Sequence, residues 1–256
     1  MTLAVVVTRP HEHAGPLLQA IAEIWPGGQA QVRHHPLIDL VRFVDDDSAQ
    51  ALAARQRTLA LDEYQAVIAI SQNAAECGVH WMEDYWPQPP VGIRWYGVGP
   101  TTAEVLRLAG LDCQTPVDRF DSEGVLALPS LQDISDEKIL IWRGVGGRET
   151  LAAGLRARGA RVDYAELYER RQIDWSPAQW ADTLAGSPLL ILSSGQALDI
   201  ALSQVADLAQ RIRGVIVPSE RVATYARGLG FSDVMVAASA RNEDTLHSLR
   251  AWLAAS

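Results

Sequence analysis

Lysine is almost absent from this chain of 256 residues, in which Lys138 is the only example. A Walker A loop needs a Gly-Lys pair to hold phosphates and a Schiff-base enzyme needs a lysine amine, so both classes of protein are disfavoured. Arginine therefore supplies nearly all of the 22 basic residues, against 31 acidic ones and a formal net charge of −9. Because nucleic acid requires a basic face, we expect no nucleic-acid partner, and an anionic ligand must be met by a local cluster.

Cysteine and long apolar runs are also scarce. Cys77 and Cys113 lie far apart and belong to no CxxC pattern, which predicts two reduced, buried thiols in a cytoplasmic protein. The histidine pairs at positions 11/13 and 34/35 lack the i, i+4 spacing with which a helix aims two imidazoles at one ion, so no metal is expected. No apolar run approaches the roughly 20 residues that span a bilayer, and the stretch MTLAVVVTRP is typical of a first strand, not a signal peptide. We therefore expect no membrane partner.

A third glycine is missing from the loop that most resembles a dinucleotide-binding turn. The stretch ILIWRGVGGRETLAAGLRARG, residues 139–159, is typical of a strand, a glycine-rich turn and a helix. Gly144 and Gly146 fit the dinucleotide pattern, but Glu149 stands where the third glycine belongs, and its carboxylate would repel a pyrophosphate. The sequence therefore disfavours the alternative of a nucleotide-dependent oxidoreductase.

Short runs of Val, Ile and Leu alternate with amphipathic stretches, a pattern typical of parallel sheets covered by helices. It predicts an α/β protein with nine strands between residues 4 and 237, the second of which begins at Ala30. It also predicts six clear helices, among them residues 101–109, 148–158, 196–210 and 220–228. Four segments recur in the same order, which indicates two related α/β halves. The matches are VVVTRP from Val5 with ILIWRG from Ile139, SQNA from Ser71 with SGQA from Ser194, GVGPTTAEVLRLAG from Gly97 with VPSERVATYARGLG from Val217, and DSEGVLAL from Asp121 with RNEDTLHSL from Arg241.

Loops at the carboxyl ends of the strands are the places to look for a ligand, because parallel α/β sheets bind ligands outside those ends. Six of these loops put Ser, Thr, Gly or Asn at a helix start, which caps the helix and leaves backbone N–H groups for a carboxylate or phosphate. For any single loop an ordinary helix cap is the simpler interpretation. Six such loops in two halves favour an anion-binding cleft.

The ordered set of motifs resembles the uroporphyrinogen-III synthase family over almost the whole chain. The motifs are Thr8–Pro10, SQNA from Ser71, GVGPTTAEVLRLAG from Gly97, SEGVL from Ser122, GGRETLAAGLRARGARVDYAELYER from Gly146 and VPSERVATYARGLGF from Val217. One departure is the loop from Leu192, which has Gln196 where the first half has Asn73.

The resemblance implies two flavodoxin-like parallel-sheet domains joined by a two-stranded connector, with the second domain inserted into the first. One domain then holds residues 1–37 and 172–256, the other holds residues 42–165, and residues 38–41 and 166–171 form the connector. Two tandem domains are the alternative that the sequence leaves open.

The resemblance also implies a lyase that cyclises hydroxymethylbilane, a linear tetrapyrrole with an acetate and a propionate on every ring. The product is uroporphyrinogen III, formed with loss of water, inversion of the last ring and no cofactor. Loss of the terminal hydroxyl gives an azafulvene, which must be attacked by the substituted carbon of the last ring through a spiro intermediate. The task implied for the enzyme is orientation of the substrate in the interdomain cleft.

Candidate site residues follow from the loops and the resemblance together. Arginine binds carboxylates bidentately, so Arg9, Arg148 and Arg221 are predicted carboxylate partners, with a solvated or structural charge as the alternative. Tyr168 is the predicted general acid for the departing hydroxyl, with packing between domains as its alternative. The other predicted substrate-binding residues are Ser71, Asn73, Gly99, Thr102, Ser122, Ser194 and Ser219.

We expect a monomer, and the sequence itself carries no signal of the oligomeric state. A second function remains open, a two-domain protein that binds an anionic ligand without chemistry. Most such proteins are exported, and this chain shows no signal peptide, so the sequence favours the enzyme.

Overall fold

Branched apolar residues form the strands of two separate sheets. The computed structural model describes residues 4–25, 31–43 and 47–255. The chain divides into two compact units, unit 1 with Met1–Leu40 and Arg171–Ser256, and unit 2 with Val41–Arg170. In chain order the elements are β1 Ala4–Val7, α1 His11–Ile24, β2 Gln31–His34, β3 Ile38–Arg42, α2 Ala49–Leu59, β4 Ala66–Ala69, α3 Gln72–Tyr85, β5 Arg94–Gly97, α4 Pro100–Leu108, β6 Cys113–Gln114, α5 Ser122–Leu126, β7 Lys138–Gly144, α6 Thr150–Ala157, β8 Arg161–Gln172, α7 Pro177–Thr183, β9 Leu189–Ile191, α8 Gly195–Gln204, α9 Leu208–Arg211, β10 Gly214–Val217, α10 Glu220–Gly228, β11 Val234–Val236 and α11 Asn242–Ala255.

Unit 1 has a five-stranded parallel sheet in the order β2-β1-β9-β10-β11. Counted along the chain within the unit this is the order 2-1-3-4-5 of flavodoxin-like folds. Alternate residues of β1 pack into different apolar clusters, Val6 into one and Val5 and Val7 into the other. Because successive side chains of a strand point to opposite faces, both faces of the sheet are covered.

Unit 2 has the strand order β3-β8-β7-β4-β5-β6, and its five strands from β8 to β6 are parallel. These five strands lie side by side in the same spatial order as those of a flavodoxin-like sheet. Along the chain, however, β4, which occupies the place of flavodoxin strand 3, comes first. The strands in the places of flavodoxin strands 1 and 2, β7 and β8, come last. Unit 2 is therefore a circularly permuted version of unit 1. The parallel sheets confirm the predicted α/β class.

The predicted sequence repeat is divided between the two units. The first-copy segment at β1 lies in unit 1 together with the second-copy segments at β9, β10 and α11. Unit 2 combines the remaining segments, those at β4, β5 and α5 from the first copy and that at β7 from the second. Neither copy of the repeat therefore forms a unit alone.

Some predicted boundaries differ from the structure. The helix predicted over residues 196–210 ends at Gln204, because Val205 is extended (φ −136°, ψ 91°) and buried, and a second short helix, α9, follows. The strands β3 and β6 are additional to the nine predicted, and β6 has only two residues. The predicted start of the second strand at Ala30 lies outside the described residues. Cys77 and Cys113 are both buried, as predicted.

The two predicted connector segments pair with each other as β3 and β8. Phe43 N–H donates to the Leu167 carbonyl (3.1 Å) and Ile173 N–H donates to the Leu37 carbonyl (3.0 Å), so the two segments run in opposite directions. That they join independently folding domains stays a prediction.

Limited proteolysis tests the domain boundaries. Cuts near Val41 and Glu169 are expected to release the inner residues as a folded fragment, while residues 1–37 stay bound to residues 172–256. The reason is that β1 pairs with β9, so the first strand is held in a sheet whose later strands follow residue 189. Gel filtration and mass spectrometry of the digest identify the fragments. Recovery of residues 1–125 as an independently folded unit contradicts the inserted arrangement.

Candidate functional site

The loops at the carboxyl edge of the unit 2 sheet enclose a cavity of about 240 Å³, here called the unit 2 cavity. It lies over the ends of β4, β5 and β7 and beside α5 and α6. Its floor is fixed by the core, because Ile141, Leu151 and Ala152 belong to the buried cluster of this unit. The lining residues are Ile70, Val98, Phe120, Asp121, Ser122, Ile141, Arg143, Arg148, Leu151, Ala152 and Tyr164.

The glycine-rich loop after β7 folds around Arg143, whose side chain is only 3% exposed. The Arg143 guanidinium donates to the Gly146 carbonyl, forms an ion pair with Glu149 (3.0 Å) and lies 4.5 Å from the centroid of the Tyr164 ring. Glu149 also accepts a hydrogen bond from the Tyr164 hydroxyl. Gly147 has φ 106°, a left-handed conformation that favours glycine. The loop therefore holds a cation of the protein itself, and we call Arg143, Glu149 and Tyr164 the Arg143 cluster.

The Arg143 cluster keeps a fixed protonation pattern. The hydrogen bonds from Tyr164 and Arg143 hold the pKa of Glu149 below its usual value, so Glu149 is a carboxylate at neutral pH. Burial, followed by the hydrogen bond to Glu149, raises the pKa of Tyr164, so its hydroxyl stays a donor. Donors and acceptor are thus matched at neutral pH.

Two other charged side chains line the unit 2 cavity. Arg148 is exposed and makes no hydrogen bond or ion pair within residues 4–25, 31–43 and 47–255. Asp121 caps α5 by accepting from Gly124 N–H (2.9 Å) and is paired with Arg119 (2.5 Å). The hydrogen bond from Arg119 lowers the pKa of Asp121. Since the charge of Asp121 is compensated, Arg148 is the cation of this wall that is available to a ligand.

The structure brings together two of the predicted site residues, Tyr168 and Ser71. The Tyr168 hydroxyl lies 3.1 Å from Ser71 Oγ, and Ser71 Oγ also accepts from Ala74 N–H (3.1 Å) as the cap of α3. Tyr168 is only 4% exposed, and its ring packs so closely on Gly144 that a Cβ there would lie 2.7 Å from Cζ. Tyr168 thus has a fixed ring and an oriented hydroxyl, which fits both its catalytic and its packing interpretation.

The other predicted residues of unit 2 occupy three helix starts. Gly99 caps α4 with an extended backbone, and Thr102 within α4 is only 2% exposed, so its hydroxyl is turned inward. Ser122 is the first residue of α5 and lines the unit 2 cavity. Asn73 is the second residue of α3. Ser122 is therefore the predicted hydroxyl that the structure places in the cavity wall.

The predicted residues of unit 1 include two helix caps. Ser194 Oγ accepts from Ala197 N–H (3.1 Å) at the start of α8, and Ser219 Oγ accepts from Val222 N–H (3.5 Å) at the start of α10. Arg221 is exposed, and its Nη2 lies 4.0 Å from the position of a Cβ on Gly195, so it stands beside the start of α8.

Arg9 differs from the other two predicted arginines because it is buried. It is 7% exposed, and its guanidinium donates to the Ala240 carbonyl, to Asn242 Oδ1 and to Thr245 Oγ1 (3.3 Å). These three partners belong to the loop before α11 and to α11 itself. Arg9 therefore ties the first loop of unit 1 to its last helix.

Sequence reasoning missed Phe120, Arg143 and Tyr164 as cavity residues. Tyr164 carries no usable signal from its spacing to Tyr168, because the register of β8 is irregular between Glu166 and Tyr168 and the alternation of faces is interrupted there. Arg143 and Glu149 flank the glycines, which is a pattern consistent with an ion pair across the turn. Phe120 carries no such signal, since it lies in a loop of irregular structure between β6 and α5.

No group of three His, Cys, Asp or Glu side chains that could hold a metal occurs in the described part of the chain. Among the described helices, none is long and apolar enough to cross a membrane.

Comparison with known sequences shows to which family the chain belongs. The family model described as "HEM4: Uroporphyrinogen-III synthase HemD" matches residues 23–247. The chain belongs to the uroporphyrinogen-III synthase family. The uroporphyrinogen-III synthase of Salmonella typhimurium strain LT2 is 34% identical over 97% of this chain and 100% of the relative. That of Escherichia coli K12 is 32% identical with the same coverage of both chains. The predicted resemblance is thereby confirmed.

Solved structures of uroporphyrinogen-III synthases have a similar fold. A mutant enzyme from the extremely thermophilic bacterium Thermus thermophilus superposes with a TM-score of 0.63 over 99% of this chain and 100% of that chain, at 14% identity. The enzyme of Helicobacter pylori 26695 gives a TM-score of 0.60 over 98% and 100%, also at 14% identity. The fold class predicted from the family is confirmed.

Proposed function

We propose that this protein cyclises hydroxymethylbilane to uroporphyrinogen III, with loss of water and inversion of the last pyrrole ring. The observation that carries the proposal is the end-to-end match to the uroporphyrinogen-III synthases of Salmonella typhimurium and Escherichia coli. These relatives are enzymes, which supports the catalytic function over a binding protein without chemistry. We further propose that it acts as a cytoplasmic monomer without a cofactor.

Orientation of the substrate by its carboxylates is the main task in this proposal. A capping serine accepts from a backbone N–H through its oxygen and keeps its own O–H to donate, so Ser194 and Ser219 can each still bind a carboxylate. Ser71 lies against Tyr168, and its proposed contribution to substrate binding is to orient the Tyr168 hydroxyl. Arg148 and Arg221 are exposed and suit bidentate contacts. Asn73, Gly99, Thr102 and Ser122 complete the proposed set, with Thr102 acting through the position of its helix start because its hydroxyl is buried.

Arg9 has a different part in the proposal. Its guanidinium is already bonded to Ala240, Asn242 and Thr245, so a substrate carboxylate would have to compete with three partners. We propose that Arg9 contributes to substrate binding mainly by fixing the loop before α11.

Tyr168 is the proposed general acid. Either hydroxyl of the Ser71–Tyr168 pair can donate, and we propose that Ser71, whose Oγ already accepts from Ala74 N–H, donates to the Tyr168 oxygen. The Tyr168 proton is then directed away from Ser71, toward the departing hydroxyl of the substrate. Protonation of that hydroxyl lets it leave as water while the pyrrole nitrogen supplies the electrons that form the azafulvene.

Incubation of the purified protein with hydroxymethylbilane tests the function directly. The product is oxidised to porphyrin and the isomers are separated by chromatography. The inverted isomer is expected to dominate, whereas heat-inactivated protein is expected to give the uninverted isomer formed by unassisted closure. Formation of the uninverted isomer alone, at the rate of the inactivated sample, rejects the proposed function.

A further inference from the structure

The unit 2 cavity has a size that suits one ring of a tetrapyrrole. Pockets that hold drug-sized ligands have volumes of roughly 300 to 1,000 Å³. With about 240 Å³, the unit 2 cavity is too small for four rings with eight carboxylates. It suits a single five-membered ring with short side chains, provided that its walls match an apolar ring and an anion.

Phe120 supplies an aromatic wall. Its Cβ lies 3.3 Å from the position that a Cβ would take on Gly99, so the absence of a side chain at Gly99 lets this residue lie close to the start of α4. The Phe120 side chain nevertheless remains 52% exposed at the cavity. An exposed aromatic residue beside the apolar lining residues Ile70 and Val98 is suited to packing against a flat aromatic ring.

The charges of the cavity select an anion. Arg143 is buried and paired with Glu149, and Asp121 is paired with Arg119, so both carboxylates are compensated. Arg148 has no such partner within the described ranges, which leaves one positive charge for a ligand. Ser122 adds a hydroxyl to the same cavity. The cavity thus combines an aromatic wall, an apolar floor and one available guanidinium.

We propose that the unit 2 cavity binds one pyrrole ring of the substrate, with the ring on Phe120 and a ring carboxylate on Arg148. The inference rests on the proposed function, because the carboxylate-bearing pyrrole is the repeating part of hydroxymethylbilane. The Arg143 cluster holds the loop that carries Arg148, and the charge of Arg143 is already matched by Glu149.

A monopyrrole tests the subsite without catalysis. The full-length protein is titrated with 3-(carboxymethyl)-4-(2-carboxyethyl)pyrrole, and backbone amide shifts are followed by NMR. Saturable binding is expected, with the largest shifts at residues that line the cavity. Arg148→Ala is expected to weaken binding about tenfold, the effect of one charge-assisted hydrogen bond. Phe120→Ala is expected to weaken it about three- to tenfold, the effect of one aromatic contact.

Two matched variants serve as controls. Arg161→Ala removes the same charge from the first residue of β8, where the Arg161 guanidinium donates to the Asp136 carbonyl. Val117→Ala truncates an exposed side chain in the loop that carries Phe120. Both are expected to bind the monopyrrole as the wild type does. The dimethyl ester of the probe is expected to bind more weakly and to be insensitive to Arg148→Ala.

The subsite is rejected if the wild type shows no saturable binding up to about 10 mM. It is also rejected if the largest shifts lie outside the cavity, or if Arg148→Ala and Arg161→Ala bind the probe equally well. The isomer assay on the same preparations separates the two proposals. Cyclisation without monopyrrole binding rejects the subsite alone, whereas binding without cyclisation rejects the proposed function and retains a pyrrole-binding cavity.

Steady-state kinetics give a second readout for Arg148. In Arg148→Ala the KM for hydroxymethylbilane is expected to rise more at low than at high ionic strength, because salt screens a partly exposed arginine–carboxylate contact. The kcat is expected to change less than the KM. A KM equal to that of the wild type at every ionic strength overturns the Arg148 contact.

Discussion

Tyr168→Phe is expected to slow turnover by roughly 10²- to 10⁴-fold, the usual contribution of a general acid, and to leave measurable activity. The variant retains the ring that packs on Gly144 and loses the hydroxyl that contacts Ser71. Since we propose that loops holding the carboxylates determine which carbon attacks, the residual product is expected to remain the inverted isomer. Rate and isomer ratio are measured together on the purified variant.

Tyr64→Phe is a matched control for the loss of a phenol. Tyr64 lies in the same unit, is 3% exposed and donates to Asp163 Oδ2 (3.0 Å), outside the candidate site. Its variant is expected to turn over substrate at the wild-type rate, and melting curves of both variants monitor folding. Full activity of Tyr168→Phe would show that Tyr168 is a packing residue and not the general acid. A slow enzyme that yields mainly the uninverted isomer shows instead that Tyr168 positions the ring.

Gly124→Ala is expected to destabilise the chain strongly. A Cβ at this position would lie 1.8 Å from the Arg119 carbonyl oxygen, a backbone atom that cannot rotate away. Overpacking typically costs about 1–3 kcal/mol, and we expect the upper end here because the clash is with backbone. The melting temperature is therefore expected to fall by roughly 5–10 °C. The residues that follow Arg119, Phe120 to Ser122, line the unit 2 cavity, so monopyrrole binding is expected to weaken as well.

Gly228→Ala is the control for the same chemical change. Gly228 ends α10, and no atom outside its own helix and chain neighbours lies within 4 Å of the position of its Cβ. Alanine favours helix over glycine by up to about 1 kcal/mol, so this variant is expected to be neutral or slightly stabilised. Equal melting temperatures for the two variants would show that the segment at residue 119 relaxes freely.

Local sequence signals were sufficient for the fold class and for several elements. The helix α10 was predicted at its observed bounds, because Ser219 caps its start and Gly230 follows its end. The prediction that the helix from residue 196 continues to Gln210 was wrong. Burial of Val205 in a cluster of residues distant in sequence outweighs helix propensity there. Strand β6 has two residues and carries too little periodicity to be recognised.

Site residues were harder to predict than the elements that carry them. Tyr168 and Ser71 were both named, but a contact across 97 positions of sequence depends on the order of the strands. The partners of Arg9 lie more than 230 positions away, so no local pattern reveals that its guanidinium is engaged. Phe120 was missed because the cavity beside it is formed by loops from several strands.

The division of the repeat between the units has a consequence for synthesis of the chain on the ribosome. Strand β1 lies between β2 and β9, and all four of its residues are buried. About 180 residues separate β1 from β9 in the chain. At translation rates of about 5–20 residues per second, one hydrogen-bonding edge of β1 stays unpaired for roughly 10–40 s until β9 is made. Unit 2 can complete its sheet during this interval, whereas the nascent first strand stays open to aggregation and to chaperone binding until the last strands emerge.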